Sequence, residues 1–207
     1  MGGTFDPVHN AHVRLALDAL ETLPLEGVSW IPSGAPGHRE APYASADDRL
    51  AMLRLAIAGE PRFSIDTTEL HTGTPTYTVP MLKRLRRELG EERPLVMLIG
   101  MDSFLSLPTW RDWEALFDLT HFAVAARPGY AFEMDRLPAP LAQIHAMRHA
   151  EPSTLAARAQ GCIVHFPSVL LDISATDLRA RIAQQKSARC LIPETVLSYI
   201  ESKGLYR

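Results

Sequence analysis

Cysteine is nearly absent from this chain of 207 residues, with only Cys162 and Cys190 present. They stand too far apart for a C-x-x-C motif and are too few for a disulfide framework, which excludes the small stapled scaffolds. No apolar run approaches the ~20 residues needed to span a bilayer; the best covers residues 95–101. The N-terminus lacks a basic-then-apolar signal sequence, and Asp6 stands where a myristoylation start would want Ser or Thr. An excess of one charge is missing too: 21 Lys+Arg face 24 Asp+Glu, so there is no basic footprint for nucleic acid. These absences lead us to expect a reduced, cytoplasmic protein with neither nucleic acid nor membrane as partner.

Two nucleotide signatures are also lacking. There is no G-x-x-x-x-G-K-[ST], which excludes a P-loop, and no G-x-G-x-x-G behind a strand. What is present is an ordinary globular composition, 46% hydrophobic, at a length that suits a single domain over 1–207.

Helical spacing of apolar residues covers 11–23, and residues 28–31 read as a short strand stopped by Pro32. A Gly- and Pro-rich loop follows to residue 44, and Ser45 opens the next helix with Asp47 and Asp48 in its first turn. Strands are expected over 63–70, 94–100, 121–128 and 162–166. Helices are expected over 78–89, 113–119, 133–147, 176–185 and 193–203. Pro80 is tolerable only because it falls in a first turn. The alternation argues for an α/β fold: a doubly wound, Rossmann-like parallel sheet with helices on both faces. Ligands bind such sheets beyond the carboxyl ends of the strands. The informative stretches, "GGTFDPVHNAH", "IPSGAPGHR", "IGMDS", "ARPGY" and "ISATDLR", all fall at such ends.

In the first stretch, Gly2, Gly3 and Thr4 can present backbone N–H groups and a hydroxyl to phosphate. His9 and His12 follow at the start of a helix, whose dipole favours an anion. The same residues can also be read as a simple turn with a capping or core histidine pair. A metal site there is the weakest reading, because no H-E-x-x-H accompanies them. Ser174 and Thr176 can cap a helix, or can place hydroxyls at a second anion site with Arg179 one turn on. Two helix N-termini with phosphate-ready side chains suggest a triphosphate gripped from both sides.

"GGTFDPVHNAH" with a late "ISAT-x-x-R" resembles the nucleotidyltransferases of the HxGH class. "IPSGAPGHR", "TPTYTV", "LIGMDSF", "LPTW", "ARPGY" and "LIPETVLSYIESKGLYR" narrow the resemblance to the bacterial nicotinate mononucleotide adenylyltransferases, in order over essentially the whole chain. Two departures are small residues for small residues: Ala11 where the family has glycine, and Gly37 where it has a second proline before His38.

The resemblance implies adenylyl transfer from ATP to nicotinate mononucleotide, giving nicotinate adenine dinucleotide and pyrophosphate in NAD biosynthesis, with Mg²⁺ on the phosphates. It implies that Gly2, Gly3, Thr4, Phe5, His9 and His12 line the ATP phosphates. His12 would meet the charge that develops at the α-phosphate. Ser174, Thr176 and Arg179 would hold the triphosphate from the other side, and Gly100 and Asp102 would lie by the ribose. His38, Arg127, Thr78 and Trp110 would take the mononucleotide, Trp110 as a flat face for the pyridine ring. For Trp110 the plain alternative is core, for Asp102 a helix cap, and for Arg127 a surface charge. Trp30, Trp113 and Tyr206 read as packing residues, and His71, His121, His145, His149 and His165 as surface or structural histidines.

Rival readings are nucleotidyl transfer to another phosphorylated acceptor, such as phosphopantetheine, and a catalytically inactive nucleotide-binding module. The resemblance also implies a short apolar strand before Gly2, which this sequence does not contain. We therefore expect Met1 to be an internal methionine, with the natural start one strand length, ~5–6 residues or slightly more, upstream and a gap at the sheet centre.

Overall fold

The computed structural model describes residues 1–36, 41–72, 75–126 and 134–207. Among them, no helix is long and apolar enough to cross a membrane. The chain packs into two units: Met1–Leu17 with Gly27–Thr76 and Leu171–Arg207, and Asp18–Glu26 with Tyr77–Leu170. All named strands pair in parallel. The fold is Rossmann-like, with two three-stranded parallel sheets and a separate two-stranded pair.

The first unit is built on β1 (Gly2–Gly3), β2 (Val28–Pro32) and β4 (Phe63–Ile65), in the order β1-β2-β4. Two short strands, β3 (Ala35–Pro36) and β5 (Pro75–Thr76), form a separate pair. Trp30 of β2 is fully buried, with Phe5 and Phe63 ring centroids each 5.4 Å away, so it is a packing residue as expected. Helix α1 (Asn10–Thr22) follows the turn after β1. Helix α2 (Ala46–Ile57) starts where Ser45 accepts from the Asp48 N–H at 3.0 Å while its hydroxyl donates to the Asp48 carboxylate. That reciprocal cap satisfies one orphan donor of the first turn.

The second unit holds β6 (Val96–Gly100), β7 (His121–Ala126) and β8 (Ile163–Pro167), in the order β6-β7-β8. Strand β7 is central and buried from His121 to Ala125, as its unbroken apolar run predicts. Helix α3 (Thr78–Leu89) carries Pro80 in its first turn, where a missing N–H leaves no bond unmade. Arg86 of α3 is buried and spends its guanidinium on the carbonyls of Leu119, Arg93 and Ala159 at 2.6–2.7 Å. Helix α4 (Met101–Leu105) leaves the end of β6, and α5 (Ala139–Arg148) leads back towards β8. The segment 113–119, expected as a helix, is a 3₁₀ helix over Trp113–Asp118. The chain returns to the first unit with α6 (Ala175–Ala183) and α7 (Glu194–Lys203). Gly204, at φ 62, closes α7 in the left-handed conformation that glycine adopts without penalty.

Candidate active site

The turn between β1 and α1 is shaped by backbone that few sequences tolerate. Phe5 is 2% exposed and sits at φ 50, a left-handed conformation unusual for an aromatic residue. Its ring lies against Gly3, where a Cβ would stand 2.9 Å from two ring carbons. A side chain at position 3 therefore requires the buried Phe5 to move. The strain and the glycine are two sides of one fit, and such outliers persist where surrounding structure enforces them.

His9 and His12 meet face to face, with ring centroids 3.7 Å apart and planes 27° apart. The backbone N–H of His9 donates to His12 Nδ1 at 3.3 Å. A neutral imidazole that accepts at Nδ1 carries its proton on Nε2, so His12 presents an Nε2–H donor. Burial pushes the His9 pKa down to about 4. Burial and the neighbouring His9 push that of His12 down to about 3. His9 Nδ1 is buried and has no hydrogen-bond partner among the described residues. A buried polar atom left open in this way marks a place where a ligand can complete the bonding.

The late motif reaches this turn through Arg179 of α6. Its guanidinium donates to the Asp6 carbonyl at 2.7 Å and to the Thr176 hydroxyl at 3.3 Å, and lies 4.5 Å over the Tyr43 ring. The two stretches that suggested phosphate binding, 173 residues apart in the chain at this contact, thus meet within the first unit. Ser174 is the N-cap of α6: its oxygen accepts from the Asp177 N–H at 3.0 Å, and its hydroxyl donates to the Asp177 carboxylate at 2.6 Å. The capping alternative therefore holds for Ser174, while Thr176 is exposed beside Arg179.

Three residues of this region were not assigned from the sequence. The buried Asp6 carboxylate accepts from the N–H groups of Tyr43 (2.7 Å) and Ala44 (3.2 Å) and from the Tyr206 hydroxyl (2.6 Å). Arg49, 1% exposed, donates to the carbonyls of Thr4 and Ser33 at 2.7 and 2.8 Å, tying the turn to the end of β2. Tyr206, expected only to pack, is a hydrogen-bonding residue; burial and the bonded Asp6 push its pKa upward.

In the second unit, Gly100 closes β6 opposite Ala125, and Asp102 is exposed in the first turn of α4. Trp110 is half-buried at the end of a 3₁₀ turn, its N–H donating to the Leu107 carbonyl, so it is not a core residue. Thr78 is half-buried at the first position of α3. Arg111, next to Trp110, lies 5.0 Å over the Tyr77 ring, next to Thr78. His38 and Arg127 lie outside the described residues.

Parallel strands followed by helices, with glycines closing the first strand and an open imidazole at the first helix start, define a nucleotide-binding α/β protein. Residues 1–181 match the family described as cytidylyltransferase-like. A relative from Dechloromonas aromatica (strain RCB), named "Probable nicotinate-nucleotide adenylyltransferase", is 48% identical over 207 residues, covering 100% of this chain and 95% of the relative. A relative of the same name from Yersinia enterocolitica is 43% identical, over 100% of this chain and 93% of its own. The fold is similar to that of the Plasmodium falciparum nicotinic acid mononucleotide adenylyltransferase complexed with NaAD. The TM-score is 0.73 at 17% identity, over 99% of this chain and 94% of that one. This chain belongs to the cytidylyltransferase-like family and, within it, to the nicotinate-nucleotide adenylyltransferases.

Proposed function

We propose that this chain transfers the adenylyl group of ATP to nicotinate mononucleotide, releasing pyrophosphate. The observation that carries the reading is the clasp of Arg179 on the Asp6 carbonyl, which ties α6 to the turn that leads into the His9–His12 pair. Names and lengths of the relatives support it.

The attacking group is a phosphate monoester, whose second pKa near ~6 leaves it mostly dianionic at neutral pH. It needs no general base; it needs in-line placement beside a second anion and stabilisation of the charge that builds. We assign the Nε2–H of His12 to the developing charge on the α-phosphate, and His9, Gly2, Gly3, Thr4 and the Phe5 turn to the phosphate chain. Arg179 supplies a fixed positive charge, with Thr176 and the α6 start on the same side. Ser174 acts by shaping that helix start, since its hydroxyl is committed to the cap. In the second unit we assign Gly100 and Asp102 to the adenosine ribose, and Thr78 and Trp110 to the mononucleotide.

Mg²⁺ would be held mainly by the nucleotide's phosphates. The side chains assigned to the phosphates are imidazoles, hydroxyls and a guanidinium, and the Asp6 carboxylate is committed to Tyr43, Ala44 and Tyr206. That set suits a cation held by phosphate oxygens and water rather than by a protein cage. When bound, the ion neutralises phosphate charge.

The test is pyrophosphate release from ATP with nicotinate mononucleotide, nicotinamide mononucleotide and phosphopantetheine in parallel. The nicotinate acceptor should give the highest kcat/KM. Preference for phosphopantetheine would overturn the acceptor. A thermal shift with ATP but no release from any acceptor would make the protein a binding module.

A further inference from the structure

Three histidines that showed no pattern in the sequence come together in the second unit. His145 lies in the last turn of α5 and His149 is the residue that caps it, four positions on. His165 lies on β8, the edge strand of its sheet. Backbone bonds fix the approach: His149 bridges to Ile163 in parallel, and the Ala150 N–H donates to the Ile163 carbonyl at 2.9 Å. The helix end is therefore docked on the strand independently of the imidazoles.

One ring nitrogen from each histidine lies within 4.8 Å of the other two. The Nε2 atoms of His145 and His165 are 2.9 Å apart, with ring centroids at 5.0 Å and planes only 15° apart. Those rings meet edge to edge, nitrogen facing nitrogen. The His149 ring centroid is 5.1 Å from that of His145 and 4.7 Å from that of His165.

We propose that His145, His149 and His165 form a site for one divalent transition-metal cation of the Zn²⁺ type, held by three imidazole nitrogens with water in a fourth position. Zinc–imidazole bonds of ~2.0–2.1 Å set tetrahedral nitrogen separations near ~3.4 Å. The closest pair must open by a fraction of an ångström, and the exposed His149 ring is free of core packing to close the rest. One imidazole from the last turn of a helix, one from the residue that caps it and a third from a neighbouring strand make a three-histidine donor set of the kind zinc accepts. His145 is buried and His149 exposed, which gives the ion a closed inner side and an open route from solvent. An all-imidazole set selects Zn²⁺, Cu²⁺ or Ni²⁺ over Mg²⁺, so this ion is distinct from the one that accompanies the nucleotide. A bound cation would pin the C-terminus of α5 to the edge of the second sheet.

The full chain, stripped with a chelator and dialysed, is titrated with Zn²⁺ by calorimetry in the absence of nucleotide, so the outcome does not depend on turnover. One equivalent should bind, and the melting temperature should rise with Zn²⁺ but not with Mg²⁺. His149→Gln, which alters an exposed ring, should weaken binding by at least about tenfold and remove the thermal shift. His71→Gln, exposed elsewhere, should change neither. Co²⁺ added to the unaltered chain should give the intense visible absorption of a four-coordinate site. Absence of a stoichiometric site, or undiminished Zn²⁺ binding by His149→Gln, would overturn the proposal and leave a hydrogen-bonded histidine cluster. A weak, six-coordinate Co²⁺ spectrum would do the same.

Discussion

His12 is held as a neutral Nε2–H donor, with Nδ1 occupied by the His9 N–H and its pKa pushed down to about 3 by burial and by His9. A neutral donor gains little from a ground-state phosphate but more as charge builds on the α-phosphate, so its contribution should fall mainly on the transition state. His12→Ala should therefore lower kcat by about 10²–10³-fold, as loss of a single donor to a developing oxyanion does. ATP affinity should change by less than about tenfold, a small part of that loss. Parallel turnover and ATP-binding measurements check this; equal losses in both would reduce His12 to a binding residue. Trp110 makes the opposite demand. Its half-buried ring is offered as a face for the pyridine ring, and base–aromatic stacking contributes ~1–3 kcal/mol. Trp110→Ala should raise KM for the mononucleotide by about 5–150-fold and leave KM for ATP nearly unchanged. A similar rise in both constants would assign Trp110 to packing.

Among elements, the C-terminal tail after α7 is tied to the opening turn by one hydroxyl. The Tyr206 O–H meets the buried Asp6 carboxylate, whose other bonds hold the Tyr43 and Ala44 N–H groups. Removing that donor leaves a buried charge short of a partner, at a cost of about 1–3 kcal/mol. Tyr206→Phe should accordingly lower stability by that amount in urea unfolding and reduce kcat by loosening the turn. Tyr199→Phe, which loses a bond to the half-buried Asp48 that Ser45 still holds, should stay within about 1 kcal/mol. If the two variants prove equally stable, the tail is not a brace. Elements were more legible than such ties. The 78–89 helix has the predicted bounds, and Ser45 caps α2 as its position suggested, because caps and periodicity are local. The expected strand over 63–70 contracts to Phe63–Ile65, since pairing with β2 ends at Trp30. Asp6, Arg49 and Tyr206 carried no local signal: their partners are backbone groups or lie up to 200 residues away. His145, His149 and His165 went unread for the same reason, because strand register and helix docking bring the third ring to the first two.

The histidine pair also gives the whole molecule a pH dependence whose sign can be worked out. In the unfolded chain His9 and His12 take up protons near the ordinary value of 6.5; in the folded chain burial delays this to about 4 and about 3. Between those limits the unfolded state binds more protons, so stability rises with pH there and falls on acidification. The stabilisation is fully present above pH ~6.5 and is lost as the pH drops through the folded values, at about 1.4 kcal/mol per pH unit for each histidine. The ring of Phe5 lies 5.2 Å from that of His12, and neither it nor the partner imidazole supplies a counter-anion. A bound triphosphate does supply one, so nucleotide should raise both imidazole pKa values and flatten the acid slope. Urea midpoints taken between about pH 7 and pH 5 should therefore fall for the free protein and fall less with ATP present. His9→Asn combined with His12→Asn should remove part of the slope, the remainder coming from His121, His145 and His165, whose pKa values burial also lowers. An unchanged slope in that double variant would place the acid sensitivity elsewhere in the chain and deny the pair its neutral resting state.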